Sequence, residues 1–227
     1  MAIAWVGGAA FVVSLLYLGY FFLVTLASSE GDSSAVTRAV VINALLFAAF
    51  ALHHSVLARS GAKRLVSRMI GTRLERAAYV WIASLLAITM CALWQPVAGL
   101  LYTMKAWWQV PFWAVQALGA AVIVSAVRVI DPLELSGIRQ AAGQAATGSF
   151  RIVGPFRIIR HPIYLGWMLL VFGTPTMTAN RLLFAAMSSL YLILAIPWEE
   201  WSLVEDHGDR YRDYQRLVRW RVIPGIW

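Results

Sequence analysis

The chain has 227 residues, 60% hydrophobic and 13% charged, with a formal net charge of +8. That much apolar surface exceeds what one soluble core of this length hides, so a soluble globular domain is excluded and the chain requires a lipid bilayer as part of its solvent. No basic run is interleaved with aromatics on a polar module, so the positive charge does not imply a nucleic-acid partner.

Charge-free stretches cover residues 1–29, 39–58, 77–104, 106–127, 161–180 and 182–198. About 20 residues at ~1.5 Å each cross a ~30 Å hydrocarbon layer. The expected fold is therefore all-α: a polytopic integral membrane helical bundle with six hydrophobic segments. About five are full spans, followed by a short C-terminal helical hairpin and an amphipathic C-terminal helix. One membrane domain is expected over residues 1–227, made of an N-terminal four-helix part (1–130), a cytoplasmic linker (131–160) and a C-terminal part (161–227).

The first segment, roughly Ala4 to Ala27, has no basic n-region and is too long for a signal-peptide core, so it reads as a retained span. The second starts near Ala39 and carries Asn43, Phe47, Phe50 and His54 at spacings of four, three and four, which puts them on one helical face. After a basic linker, the third runs from Ala77 to Gln95 and stops at Pro96. It contains the single cysteine, Cys91, which reads as a small core residue. Trp94, Tyr102, Trp107, Trp108 and Trp113 gather around the following loop as an interfacial aromatic belt. The fourth segment covers about Pro111 to Val129.

The linker over 131–160 is rich in Ala, Gly and Gln between 140 and 148 and is expected to be a mobile segment, either an ordinary solvated loop or one that could act as a lid. Pro162 and Pro175 bracket about 12 free helical residues, or ~18 Å, so the last two segments form a short hairpin turned at 176–180. Beyond Pro197 the chain becomes charged, and Tyr211, Tyr214 and Val218 share a face of a helix expected to lie on the membrane surface.

Alternating the loops puts 16 of the 19 basic residues on one side, leaving only Arg38, Lys105 and Arg181 on the other. This bias places both termini in the cytoplasm.

Two polar clusters break the apolar pattern. One is Arg160-His161-Pro162-Ile163-Tyr164-Leu165-Gly166; the other is Glu199-Glu200, followed by Tyr211 and Tyr214. If the last two helices are antiparallel, the clusters face each other with room for a cation between them. A carboxylate pair just past a helix C-terminus opposes the dipole, costing from a few tenths to about 1 kcal/mol unless something positive is bound. Read singly, Arg160 is an ordinary positive-inside boundary residue and the Glu pair a solvated helix end. The four histidines have no zinc-type spacing, so no metal is expected.

The stretch RHPIYLG, followed about thirty residues later by EEWSLVEDHGDRYRDYQRLVRWRVIP, resembles the membrane methyltransferases that include isoprenylcysteine carboxyl methyltransferase and the phospholipid methyltransferases. HSVLAR, LERAAYV, DPLELSGIRQ and TPTMT are similar to segments of bacterial methanethiol S-methyltransferases and extend the resemblance over most of the chain. His207 departs from the pattern, which usually has an aromatic before Gly208.

The resemblance implies S-adenosylmethionine as donor, bound at the cytoplasmic face of a bacterial inner membrane. Glu199 and Glu200 would meet its amino or ribose groups and Arg160 its carboxylate. His161 and Tyr164 would supply hydrogen bonds and ring surface, and Pro162, Gly166, Tyr211 and Tyr214 would complete the pocket. The implied acceptor is a small thiol, methanethiol going to dimethyl sulfide. A thiol with a pKa of about 8.5 or higher is mostly protonated at neutral pH. His54 and His161 are therefore candidate bases, while Asn43, Asp131, Glu134 and Arg139 are candidates for holding the substrate or closing over the donor. Two alternatives stay open: an isoprenylcysteine carboxyl or phospholipid methyltransferase, and a non-catalytic transporter or assembly factor linked to nitrogen-oxide respiration.

Overall fold

A computed structural model of the protein describes residues 2–57, 60–130, 133, 136, 138–143 and 151–227. Among the described residues, five helical stretches are long and apolar enough to cross a membrane: Ala2–Thr25, Ser33–Leu57, Thr72–Leu93, Ala106–Ile130 and Ala179–His207. A sixth apolar helix, Pro162–Phe172, has 11 residues. At roughly 1.5 Å per residue it spans about half a hydrocarbon layer. The protein is a polytopic membrane helical bundle, and its chain packs as two compact units.

The first unit takes the described residues of 1–100, 132–147 and 178–183. Its helices are α1 (Ala2–Tyr20), α2 (Val36–Leu57), α3 (Ser60–Ile70), α4 (Thr72–Leu93) and the short α6 (Ile138–Ala141). The linker expected before the third span is thus largely the amphipathic helix α3, and Gly71, at φ +85°, makes the corner into α4. Helix α4 begins at Thr72 rather than Ala77. Charged residues mark the edge of the lipid, not the end of a helix, and Arg73, Leu74, Glu75 and Arg76 are good helix formers.

Helix α1 continues into a π-helical turn, Phe21–Thr25, whose widened ladder leaves carbonyls that need donors inside the protein. The segment 178–181 supplies them. Arg181, 7% exposed, directs Nη2 to the Phe22 and Leu23 carbonyls at 3.4 Å each. Thr178 donates its hydroxyl to Leu26 O, and Asn180 donates Nδ2 to Ser28 O at 3.0 Å. Arg181 is therefore a buried donor to the π turn, where sequence suggested an outer-loop charge.

The second unit takes the described residues of 101–131, 148–177 and 184–227. It contains α5 (Gln109–Ile130), α7 (Pro162–Phe172), most of α8 (Ala179–His207) and α9 (Asp209–Leu217). Two short strands, β1 (Leu100–Thr103) and β2 (Thr176–Thr178), pair with one another. Helices α5 and α7 meet backbone to backbone. A Cβ added to Gly166 would lie 2.7 Å from Gly119 O, and one added to Gly119 would lie 2.5 Å from Gly166 O. Close crossings of this kind need small residues.

Two expectations are corrected here. The C-terminal hairpin has one short arm, α7, and one long arm, because α8 continues through Pro197 to His207. Glu199 and Glu200 consequently lie within a helix, and the argument from an unfavourable helix dipole does not apply to them. The aromatic face of α9 is also not turned to a membrane surface: Tyr211, Tyr214 and Val218, 1–3% exposed, pack against Ile152, Leu203 and Val204.

Candidate active site

Pro162 occupies the first turn of α7, where its fixed φ suits the helix and its missing N–H costs nothing. The preceding residues run beside the C-terminal segment: Arg160 N donates to Trp220 O at 2.9 Å and His161 N to Arg221 O at 2.8 Å. These contacts hold Arg160 and His161 against the C-terminal segment, within the second unit.

Glu200 is 5% exposed and surrounded by donors. Arg160 Nε lies 2.6 Å and His161 Nε2 3.2 Å from its Oε1; Gln215 Nε2 lies 3.2 Å and Arg221 Nε 3.5 Å from its Oε2. Arg160 also donates Nη1 to Val218 O at 2.8 Å and Arg219 O at 3.1 Å. The cation expected between the clusters is thus supplied by the protein itself, as Arg160 with Arg221. A buried ion pair repays its desolvation only with this kind of additional hydrogen bonding.

Glu199 differs from its neighbour, with 43% of its side chain exposed. Its Oε2 accepts from the Tyr164 hydroxyl and lies 3.6 Å from His161 Nδ1. The imidazole therefore stands between two carboxylates, with each ring nitrogen facing one. The His161 and Tyr164 rings stack at 5.2 Å with 23° between their planes, forming a flat wall beside Glu199.

Tyr211 and Tyr214 form the floor of this cluster. Burial chiefly, then the charges of Glu200 and Glu199, push the Tyr211 phenol well above its ordinary pKa. Burial does the same for Tyr214, with Arg160 opposing. Tyr214 donates its hydroxyl to Phe156 O at 2.8 Å, which pins the turn Gly154–Arg157 leading into Arg160.

The structure brings together Arg160, His161, Pro162, Tyr164, Glu199, Glu200, Tyr211 and Tyr214. Gly166 has another task, the contact with Gly119 on α5. Asn43, fully buried in the first unit, exchanges two 2.8 Å hydrogen bonds with the backbone N and O of Gln95 and is a structural clamp. His54 also belongs to the first unit, where its Nδ1 is 2.6 Å from the Tyr79 hydroxyl on α4. Arg139 lies on α6 in the first unit, whereas Asp131 and Glu134 fall outside the described residues.

Sequence reasoning missed Arg221, Gln215 and Tyr79. The LVRWRVIP stretch carried the signal for Arg221, since its arginine stands in the segment that pairs with Arg160 and His161. Nothing in the apolar pattern around Tyr79 distinguished it from a core aromatic. Among the described residues, no group of three or more His, Cys, Asp or Glu is placed to hold a metal ion.

No family model matches the chain, and no solved structure matches it. Curated relatives do. Methanethiol S-methyltransferase 2 of Bradyrhizobium diazoefficiens is 34% identical over 221 residues, covering 92% of this chain and 84% of that protein. Methanethiol S-methyltransferase of Mycobacterium tuberculosis is 33% identical over 224 residues, covering 93% and 92%. Nurim of Danio rerio is 29% identical over 174 residues, covering 70% and 63%. At this identity and coverage, the chain belongs to the methanethiol S-methyltransferase family.

Proposed function

We propose that this protein methylates methanethiol with S-adenosylmethionine, giving dimethyl sulfide and S-adenosylhomocysteine, at a site on the cytoplasmic face of a bacterial inner membrane. The observation that carries the reading is Glu199, a half-exposed carboxylate oriented by Tyr164 and His161 above the buried Arg160–Glu200 pair. A donor with a cationic amine, ribose hydroxyls and a flat base matches an exposed carboxylate beside stacked rings. The names of the relatives support the thiol, and the excess of basic residues on one side supports the orientation.

When bound, S-adenosylmethionine supplies a methyl group activated by a sulfonium. The chain's own contribution is placement. Glu199 accepts from the amine or a ribose hydroxyl; Tyr164 and His161 fix that carboxylate and offer ring surface; Arg160, Gln215 and Arg221 hold Glu200, and with it α8, in register. Methyl transfer to a thiolate neutralises charge, so alignment and exclusion of water matter more than a strong acid. Alignment alone can contribute several kcal/mol, up to about 7–11 in ideal cases. His161, with both nitrogens facing carboxylates, acts as a positioning residue. Methanethiol enters the step as its thiolate, its proton having gone to solvent.

The test is calorimetric titration of detergent-purified protein with S-adenosylmethionine, followed by a panel of methanethiol, prenylated cysteine and phospholipid amines. Donor binding with dimethyl sulfide release is expected. Binding with product only from a prenylcysteine or lipid would reassign the acceptor, and folded protein that binds no donor would overturn the reading.

A further inference from the structure

Helix α3 (Ser60–Ile70) takes no part in the site above, and its surface divides three ways. Lys63 and Val66 face a small cleft lined also by Leu57, Glu75, Ala78, Tyr79 and Ile82. Leu65 and Met69, four residues apart and so on one stripe, are 61% and 77% exposed. Arg64 and Arg68, also four apart, are exposed on another stripe. The helix has no acidic residue.

Its place in the chain gives these stripes a meaning. Helix α3 joins α2 and α4, both apolar enough to be spans, so it lies where the two leave the hydrocarbon. At that depth an open Leu65–Met69 stripe meets acyl chains, and a basic stripe beside it meets headgroups. A helix with one apolar and one Lys/Arg-rich face lies in the interface plane, and its binding depends on anionic lipid. The charge complement of Arg64 and Arg68 is a phosphate without a balancing cation.

We propose that α3 is an interfacial helix that docks onto anionic phospholipid, with Leu65 and Met69 seated among acyl chains and Arg64 and Arg68 binding headgroup phosphates. One side of the helix holds to α4 while the others couple the first unit to the charge of the leaflet. The proposal does not depend on the methyl-transfer reading.

The experiment uses the full chain carrying Met69→Cys and labelled with a nitroxide; Cys91 is buried and leaves position 69 as the reactive thiol. The protein is reconstituted in phosphatidylcholine vesicles with and without phosphatidylglycerol. With phosphatidylglycerol, the label is expected to collide with oxygen and to be shielded from a water-soluble nickel chelate. That shielding should fall in phosphatidylcholine alone, at high salt, or with Arg64→Gln and Arg68→Gln combined. A basic residue at an anionic surface is worth about fivefold in binding, so native mass spectrometry of retained phosphatidylglycerol should show roughly a 25-fold loss for the double variant. Should the double variant not fold, Arg64→Gln alone, on the exposed stripe, should lose about fivefold. A label open to the nickel chelate in both vesicles overturns the proposal. So does one shielded from both reagents, which means that protein covers α3, or one whose depth ignores lipid charge.

Discussion

Arg160 and Glu200 form an ion pair, Nε to Oε1 2.6 Å, in which each side chain is less than a tenth exposed. One residue belongs to the turn before a short helix and the other to the C-terminal third of a long one. The pair therefore fixes how α7 begins relative to α8 within the second unit.

Breaking that pair should be a folding lesion before it is a binding lesion. Removing one partner of a buried pair typically costs about 3–5 kcal/mol, because the other charge is left uncompensated. Glu200→Gln is expected to lower the thermal midpoint in detergent by roughly 6–20 °C for a chain of this size. A midpoint equal to the parent's would show that Glu200 does not hold the fold.

Glu199→Gln should behave in the opposite way. The side chain is 43% exposed, so stability should change little, while a charge-assisted contact to the donor would be lost. Such contacts are worth about 1.5–3 kcal/mol, or roughly a 10- to 150-fold rise in the dissociation constant. Calorimetric titration of folded variant with S-adenosylmethionine reads this directly, and unchanged affinity would remove Glu199 from the donor site.

Tyr79→Phe tests the contact between α2 and α4 in the first unit. It removes the 2.6 Å hydroxyl contact with His54 but keeps the ring. One hydrogen bond is worth about 0.5–1.5 kcal/mol, so the thermal midpoint in detergent should fall by roughly 1–6 °C. A midpoint equal to the parent's would show that this contact does not hold the two helices.

Tyr214→Phe tests the floor of the site across pH. Its phenol has a folded-state pKa raised above the ordinary value, so the stability linked to its protonated form is complete below about pH 10 and lost as pH rises beyond that. The variant should be roughly 1 kcal/mol less stable at neutral pH, having lost the bond to Phe156 O. It should also lose stability less steeply in alkali, as measured by midpoints from pH 8 upward.

Much of this was legible in the sequence because lipid leaves so few options. Charge-free runs located the spans, and the pairing of RHPIYLG with the Glu199-Glu200 pair followed from antiparallel neighbours. Helix limits were not legible: charged residues at Thr72–Arg76 and beyond Pro197 continue their helices after leaving the hydrocarbon. Nor was the division of labour between adjacent glutamates, since it depends on Arg221 and Gln215 returning from the C-terminal segment. Gly166 reads as part of a binding motif, yet its lack of a side chain serves the crossing with Gly119, 47 positions earlier in the numbering.

The central claim is tested most directly with S-adenosylmethionine bearing a trideuterated methyl group, supplied with methanethiol to purified protein in sealed vials. Dimethyl sulfide carrying all three deuterons, in amounts equal to the S-adenosylhomocysteine formed and reduced in Glu199→Gln, is the predicted result. Folded protein that binds the donor but releases neither labelled sulfide nor S-adenosylhomocysteine would contradict it.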